Sequence, residues 1–137
     1  ELPINFASPI RLEGYEVTSS TIKKEKPLVL ILYWRATGRI DRDYTVFVHL
    51  IDEDGRIIEG FDSQPRDGRS PTSAWRAGDL VPDGRVFSIP EDAPLGDNLR
   101  LEIGLYYLPT MRRLSIVDSS GERIGDALAI GPLSLEE

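Results

Sequence analysis

Several residue types that carry chemistry in proteins are rare or missing in this chain of 137 residues. It contains no cysteine, one histidine and one methionine. Without cysteine the chain forms no disulfide, provides no thiolate to a metal and has no cysteine nucleophile. One histidine without cysteine cannot supply the ligands of the common zinc sites. We therefore expect no metal ion and no other cofactor.

The single histidine gives little support for catalysis. His49 lies within the apolar run of residues 46–50. A catalytic triad needs a positioned serine and a carboxylate around the histidine, and the chain has no Gly-x-Ser-x-Gly motif. An apolar setting favours a hydrogen-bonded structural histidine over a catalytic one. The sequence therefore predicts a protein that is not an enzyme.

Long apolar segments and excess positive charge are also lacking. No stretch approaches the roughly 18 apolar residues of a membrane-spanning helix, and 16 basic against 23 acidic residues give a net charge of −7. This charge repels the phosphate backbone of nucleic acids. We expect no nucleic-acid partner and no insertion of this segment into a membrane. Because the chain begins at Glu1, we also expect one domain, residues 1–137, cut from a longer polypeptide.

Carboxylates are frequent at predicted turns, for example Asp52, Glu53 and Asp54. Calcium takes oxygen ligands from such loops, but a complete Asp-x-Asp-x-Asp-Gly pattern is absent. Aspartate before glycine also forms turns in its own right. We therefore favour structural turns over a calcium site.

Alternation with a period of two is the pattern that recurs along the chain, and helical spacing is absent. Leu99, Leu101, Ile103 and Leu105 share one face of a predicted strand, and Arg100 lies on the other. Eight segments of this kind alternate with turns rich in glycine, proline and aspartate: residues 10–18, 28–36, 44–52, 56–62, 85–89, 99–107, 111–117 and 127–135. The sequence predicts an all-β antiparallel sandwich, immunoglobulin-like, with a jelly roll as the alternative.

Two glycines give local detail. The alternating phase shifts at Gly14, which predicts a β-bulge there, and Asp54-Gly55 predicts a tight antiparallel hairpin turn. The connection over residues 63–84 contains no convincing strand, and loops of this length are uncommon unless functional or disordered. Trp75 lies near its middle and is expected to pin it to the body of the domain. We expect any visible function to lie in this loop.

Exposed aromatic rings are the best candidates for a binding surface, because sugar rings stack on flat apolar faces. Arginines near them offer hydrogen-bond donors. We favour the interpretation that the aromatic rings fill the sandwich and cover its faces, and keep ligand binding as the alternative. The candidate ligand-binding residues are Trp75, Tyr106, Arg35, Tyr33 and Arg113.

Strings along nearly the whole chain resemble one bacterial protein family. They are Tyr33-Trp34-Arg35-Ala36, Phe47-Val48-His49-Leu50, Asp62, Pro65, Gly68, Pro71-Thr72, Trp75, Gly78-Asp79, Gly104-Leu105-Tyr106, Arg113-Leu114 and Gly125-Asp126. The chain resembles the β-sandwich domain that follows the multi-span region of bacterial membrane proteins similar to dolichyl-phosphate-mannose protein mannosyltransferases, in the GT-C glycosyltransferase class. Where the family usually has Pro-Gly-x-Tyr, this chain has Leu95-Gly96-Asp97-Asn98.

The resemblance implies where the domain is found and gives little information about a chemical mechanism. In the GT-C class the catalytic acid belongs to a loop of the membrane region, so the resemblance implies no catalytic residue in this chain. It implies a location outside the cytoplasmic membrane, as part of a membrane protein. Two hypotheses follow: an accessory module that binds glycan or the acceptor, and a structural or protein-interaction domain that packs on the membrane region of its own parent chain.

Overall fold

The computed structural model describes residues 2–137, and its regular secondary structure is almost entirely β-strand. Between the strands lie a turn at Pro65–Gly68, with left-handed backbone at Arg66 and Asp67, and a short 3₁₀ helix at Thr72–Ala74. The twelve strands are β1 (Ile4–Phe6), β2 (Ile10–Val17), β3 (Thr21–Lys23), β4 (Leu28–Ala36), β5 (Thr45–Ile51), β6 (Ile57–Gly60), β7 (Leu80–Phe87), β8 (Gly96–Tyr107), β9 (Arg112–Arg113), β10 (Ile116–Val117), β11 (Arg123–Gly125) and β12 (Leu128–Glu136).

The strands form two sheets that pack face to face. The first sheet has the order β11-β10-β1-β2-β4-β7, and the second has the order β3-β12-β8-β5-β6, with β9 paired to β8. All pairs are antiparallel except β12 with β3. The predicted all-β sandwich is confirmed.

The order of the long strands is that of the immunoglobulin-like sandwich. In the first sheet, β2-β4-β7 takes the order A-B-E, and in the second sheet β6-β5-β8-β12 takes the order C′-C-F-G. The long alternating strand β8 therefore occupies the place of strand F. No strand D is present among the described residues, because the chain crosses from β6 to β7 through a loop over residues 61–79.

The core lies between the two sheets and follows from the alternation. Every second residue of β4, from Leu28 to Ala36, is buried, and those between are partly exposed. Trp34 therefore points into the core and Tyr33 points to the outer face. Strand β5 differs, because nearly all of its residues are buried on both faces.

The structure corrects the boundaries of one predicted strand. Strand β7 begins at Leu80, whereas the sequence predicted a start at residue 85 and an irregular loop up to residue 84. Its inward positions hold two charged residues, Asp83 and Arg85, between Val81 and Phe87. These charges hid the alternation, because inward positions of a strand are ordinarily apolar.

Short strands and divided strands account for the other differences. The predicted strand at 111–117 is split, because β9 pairs with the second sheet and β10 with the first. Strands β1, β3 and β11 contain three residues each, which is too short for alternation to be recognised in a sequence.

The predicted turns are present. The pairing of β2 with β4 shifts register between Leu12 and Gly14, so the bulge is confirmed. At the β5–β6 turn Gly55 has a φ of 85°, and the amide of Asp52 donates to the carbonyl of Arg56 at 2.9 Å. A second register shift falls between Ile130 and Leu133 of β12.

The loop over residues 61–79 is fastened to the sandwich at several points. Trp75 is 5% exposed and belongs to the core, and its indole N–H donates to the carbonyl of Ser70 at 2.9 Å. The hydroxyl of Thr72 accepts from the amide of Tyr44 at 3.0 Å. The amide of Gly78 donates to the carbonyl of Ala36 at 2.7 Å. The expectation that Trp75 pins this loop is confirmed.

Candidate functional site

A buried polar network lies where the edge strand of the first sheet meets the loop. Asp83 accepts hydrogen bonds on Oδ2 from the indole N–H of Trp34 at 3.3 Å and from Nη2 of Arg85 at 2.9 Å. Its Oδ1 accepts from the amide of Arg66 at 2.8 Å. An ionised carboxylate buried in this way is stable only because it is paired and hydrogen-bonded.

Arg85 connects this network to the second sheet. Its Nη1 donates to the carbonyl of Phe61 at 3.2 Å and to the hydroxyl of Ser63 at 2.9 Å, while Nη2 donates to the carbonyl of Ser63 at 3.2 Å. With Nε and Nη2 bonded to Asp83, all five donors of the guanidinium have partners inside the protein. Arg85 therefore holds the site together and has no donor left for a ligand.

The turn that Asp83 holds has an unusual backbone. Arg66 and Asp67 have φ angles of 55° and 56°, and Gly68 follows with a φ of 85°. Left-handed conformations are uncommon for residues other than glycine. Such conformations persist where the surroundings enforce them, and they cluster at ligand-binding segments. Here the bond between the Arg66 amide and the Asp83 carboxylate supplies part of that enforcement.

A cleft of about 440 Å³ opens between this turn and strand β7, and we call it the lateral cleft. Phe61 stacks on Phe87 with ring centroids 4.0 Å apart and remains partly exposed. Gly84 leaves the wall open, because no atom lies within 4 Å of the position that a Cβ would take. The lining residues are Phe61, Asp62, Ser63, Asp67, Arg69, Gly84, Arg85, Val86 and Phe87.

Asp62 joins the lateral cleft to the outer face of the second sheet. Its Oδ1 lies 3.2 Å from Nε2 of His49, and its Oδ2 accepts from the hydroxyl of Tyr106 at 3.0 Å. Burial raises the pKa of Tyr106, and the hydrogen bond to Asp62 raises it further. The phenol therefore stays protonated at neutral pH and acts as a donor to the carboxylate.

Phe47 occupies the centre of that outer face although it points away from the core. It lies close to Gly104, where a Cβ would be 2.5 Å from the ring, and the guanidinium of Arg113 lies over the ring, 4.1 Å from its centroid. Arg113 also donates to Asp126 at 3.3 Å. Glycine at position 104 is thus required by the close approach of the ring.

The structure separates the five candidate ligand-binding residues predicted from the sequence. Tyr33 and Arg35 lie on the outer face of the first sheet, where Tyr33 donates to Glu16 and Arg35 to Glu13 at 2.7 Å. Tyr106 and Arg113 lie on the outer face of the second sheet. Trp75 lies in the core, so its ring faces are covered and offer no stacking surface in this conformation.

On the outer face of the first sheet, charged side chains are paired with close neighbours. Burial raises the pKa of Glu13, but hydrogen bonds and charge from Arg35 and Arg11 outweigh it and leave the pKa lowered. The hydrogen bond to Glu16 raises the pKa of Tyr33. These side chains therefore bind one another on this face.

Phe61, Asp62, Asp67 and Arg69 are not among the candidate ligand-binding residues predicted from the sequence. The sequence did indicate the segment in which part of the cleft lies. The loop predicted to carry function contains four of the lining residues: Ser63, Asp67, Arg69 and Gly84. Within residues 2–137 no group of three or more histidine or acidic side chains is arranged to hold a metal ion. In the same range, no helix is long and apolar enough to span a bilayer.

The comparisons with known proteins bear on the fold. No family model matches the chain, and no curated protein matches it. Among solved structures, the C-terminal domain of Wzt is similar with a TM-score of 0.63 and 16% identity, covering 98% of this chain and 77% of that one. The alkylpurine DNA glycosylase AlkC of Pseudomonas fluorescens, bound to DNA containing an abasic site analogue, has a TM-score of 0.47 and 13% identity over 95% of this chain and 31% of its own. At these identities the similarity to the Wzt domain establishes the sandwich fold alone, and that to AlkC supports no conclusion.

Proposed function

We propose that this chain is a non-catalytic module that binds carbohydrate in the lateral cleft. The observation that carries the proposal is the pairing of a partly exposed ring, Phe61, with a carboxylate, Asp62, whose oxygens are already oriented by the protein. Sugars present apolar C–H faces and polar hydroxyl edges. A site with an aromatic surface and a few fixed polar groups matches both.

The dimensions and backbone of the cleft support the proposal. Its volume of about 440 Å³ falls within the range of small-molecule sites, about 300–1,000 Å³. The left-handed turn at Arg66 and Asp67 presents Asp67 and Arg69 at the rim. Because this turn is held by the buried Asp83, the rim is preorganised, which lowers the entropy cost of binding.

The proposal extends to the protein context. We place the module outside the cytoplasmic membrane, in a larger bacterial membrane protein similar to the GT-C glycosyltransferases. The strings along the chain that resemble that family support this context. In this context the bound carbohydrate is a glycan or the acceptor of the parent protein.

A glycan array followed by amide NMR titration tests the binding function. We expect at least one neutral glycan to bind with millimolar or tighter affinity and to shift the amides of Asp62, Asp67 and Gly84. Arg69→Ala should weaken binding, because Arg69 lines the cleft. Arg76→Ala, in the same loop but outside the cleft, is the matched control and should leave the affinity unchanged.

Two results would refute the carbohydrate function: no glycan bound in the millimolar range, or amide shifts confined to surfaces remote from the lateral cleft. Turnover on a panel of aryl glycosides and esters would refute the non-catalytic part of the proposal.

The second candidate is a structural domain that packs on the membrane region of its parent chain. Two observations favour this role over the stacking of a ligand on these four side chains. Trp34 and Trp75 are both buried, and Arg35 and Tyr33 are hydrogen-bonded within the protein. Deleting the domain from the full-length parent distinguishes the two functions. Loss of parent expression, together with a negative glycan screen, would favour the structural role.

A further inference from the structure

We infer that Asp62 determines the ligand class of the lateral cleft by accepting hydrogen bonds from two neighbouring hydroxyl groups of an uncharged sugar, with His49 and Tyr106 as its positioning residues. This inference rests on the proposed carbohydrate-binding function and concerns the same site.

The carboxylate is held from two strands. Nε2 of His49 on β5 lies 3.2 Å from one oxygen, and Tyr106 on β8 donates to the other at 3.0 Å. The side chain of His49 is 16% exposed and Tyr106 is 8% exposed, so neither side chain is free to move far. With a hydrogen bond to one oxygen and the His49 ring close to the other, the rotation of the Asp62 carboxylate is restrained before any ligand arrives.

The carboxylate retains binding capacity on the exposed side. An ionised carboxylate has about four lone-pair positions, and the contacts with His49 and Tyr106 leave each oxygen able to accept a hydrogen bond from a ligand. The Asp62 side chain is 33% exposed and lines the lateral cleft. Two oxygens fixed side by side match two donors at a similar spacing, as adjacent sugar hydroxyls provide.

The charges around the cleft select against anionic ligands. Asp62, Asp67 and Arg69 line the cleft, and the guanidinium of Arg85 is already neutralised by Asp83 and bonded to the protein. A carboxylate also cannot donate hydrogen bonds to a second carboxylate or to a phosphate unless it is protonated. Uncharged polyols therefore fit the site better than uronic acids or sugar phosphates.

His49 supplies a second, independent observation. Among residues 2–137, its Nδ1 is the one buried side-chain nitrogen or oxygen without a hydrogen-bond partner. Buried polar atoms are ordinarily paired, and an exception requires an explanation. The ring is oriented so that Nε2 reaches Asp62, and Nδ1 is left unpaired as a result. Its orientation thus serves the carboxylate rather than its own hydrogen bonding.

The test uses the intact domain and a panel of methyl glycosides of mannose, glucose and galactose, with their monodeoxy analogues and the corresponding glucuronide. For the best-bound neutral glycoside, we expect Asp62→Asn to weaken affinity about tenfold or more, because a hydrogen bond to a charged group is lost. Asp97→Asn, an exposed carboxylate outside the cleft, is the charge-matched control and should have no effect.

A second set of affinity measurements tests the positioning roles of His49 and Tyr106. Tyr106→Phe and His49→Leu should each weaken affinity several-fold, whereas His49→Gln, which keeps an N–H donor, should restore most of it. Removing either of two adjacent sugar hydroxyls should weaken binding to the wild type about tenfold, yet hardly affect binding to Asp62→Asn. Amide NMR spectra of each variant establish that the fold is intact.

The outcomes separate the inference from the proposed function. If a neutral glycoside binds and Arg69→Ala weakens it while Asp62→Asn does not, the inference is overturned and the carbohydrate function stands. Tighter binding of the glucuronide than of neutral glycosides would also overturn the inference. If neither the glycosides nor the array glycans bind the wild type, both fail.

Discussion

At the scale of single residues, the polar groups that point inward matter most. Asp83 and Arg85 occupy core-facing positions of β7, and together they join both sheets to the loop. A buried ion pair contributes less to net stability than its geometry suggests, because both charges lose their hydration. Removing only one partner is different, because the other charge is left buried and unpaired.

We therefore predict that Asp83→Ala lowers the free energy of unfolding by about 3–5 kcal/mol. Arg39→Ala is the control, since its ion pair with Asp41 is 3.3 Å long but both side chains are more than 80% exposed. The control should cost less than about 1 kcal/mol. Urea denaturation measures the free energy of unfolding of both variants. Equal costs for the two variants would contradict the structural role assigned to Asp83.

At the scale of elements, the loop over residues 61–79 takes the place of strand D and fills two roles. Its first part forms the rim of the lateral cleft, and its second part closes one end of the sandwich through Trp75 and Thr72. The rim of the lateral cleft keeps its position only if the rest of the loop is fixed to the domain. The buried indole of Trp75 fixes it.

Trp75→Ala should lower the free energy of unfolding by about 3–5 kcal/mol, as expected for removal of a large buried aromatic ring. Hydrogen exchange should accelerate over residues 64–79 more than in β4 or β8, because the loop loses its core contact. Leu108→Ala, at a position 57% exposed, should change stability by no more than about 0.5 kcal/mol. Uniform acceleration across the whole domain would argue against a local role for Trp75.

At the scale of the whole molecule, the two sheets share one core. The inward residues of β4 and β8 belong to the same cluster, and Phe61 and Phe87 close it at the side of the lateral cleft. Neither sheet can lose its partner without exposing that cluster to water, so unfolding is expected to be cooperative.

We predict that a Trp75→Phe variant unfolds in one transition when followed by two probes. The remaining tryptophan, Trp34, reports on the first sheet through its fluorescence, and far-ultraviolet circular dichroism reports on all strands. The midpoints in urea should coincide, as two-state behaviour requires. A fluorescence transition clearly separated from the loss of circular dichroism would show that the sheets unfold independently.

Much of the fold follows from local pattern. Alternation places Leu99, Leu101 and Ile103 on an inward face, and the phase shift at Gly14 marks the bulge because a strand has a strict period of two. Alternation does not identify the full length of β7, because Asp83 and Arg85 interrupt its apolar face. Charges are acceptable there only because partners from other segments neutralise and bond them, and no local sequence feature reveals those partners.

By itself, the sequence determined the all-β sandwich, the bulge at Gly14 and the turn at Gly55. These features depend on contacts between residues near one another in the chain. Only the tertiary structure decided that Trp75 belongs to the core and that Phe61, Asp62, Asp67 and Gly84 enclose one cleft. Those residues come together because β6 and β7 are edge strands on the same side of two different sheets. Strand order and register set that proximity, and alternation along one strand carries no information about either.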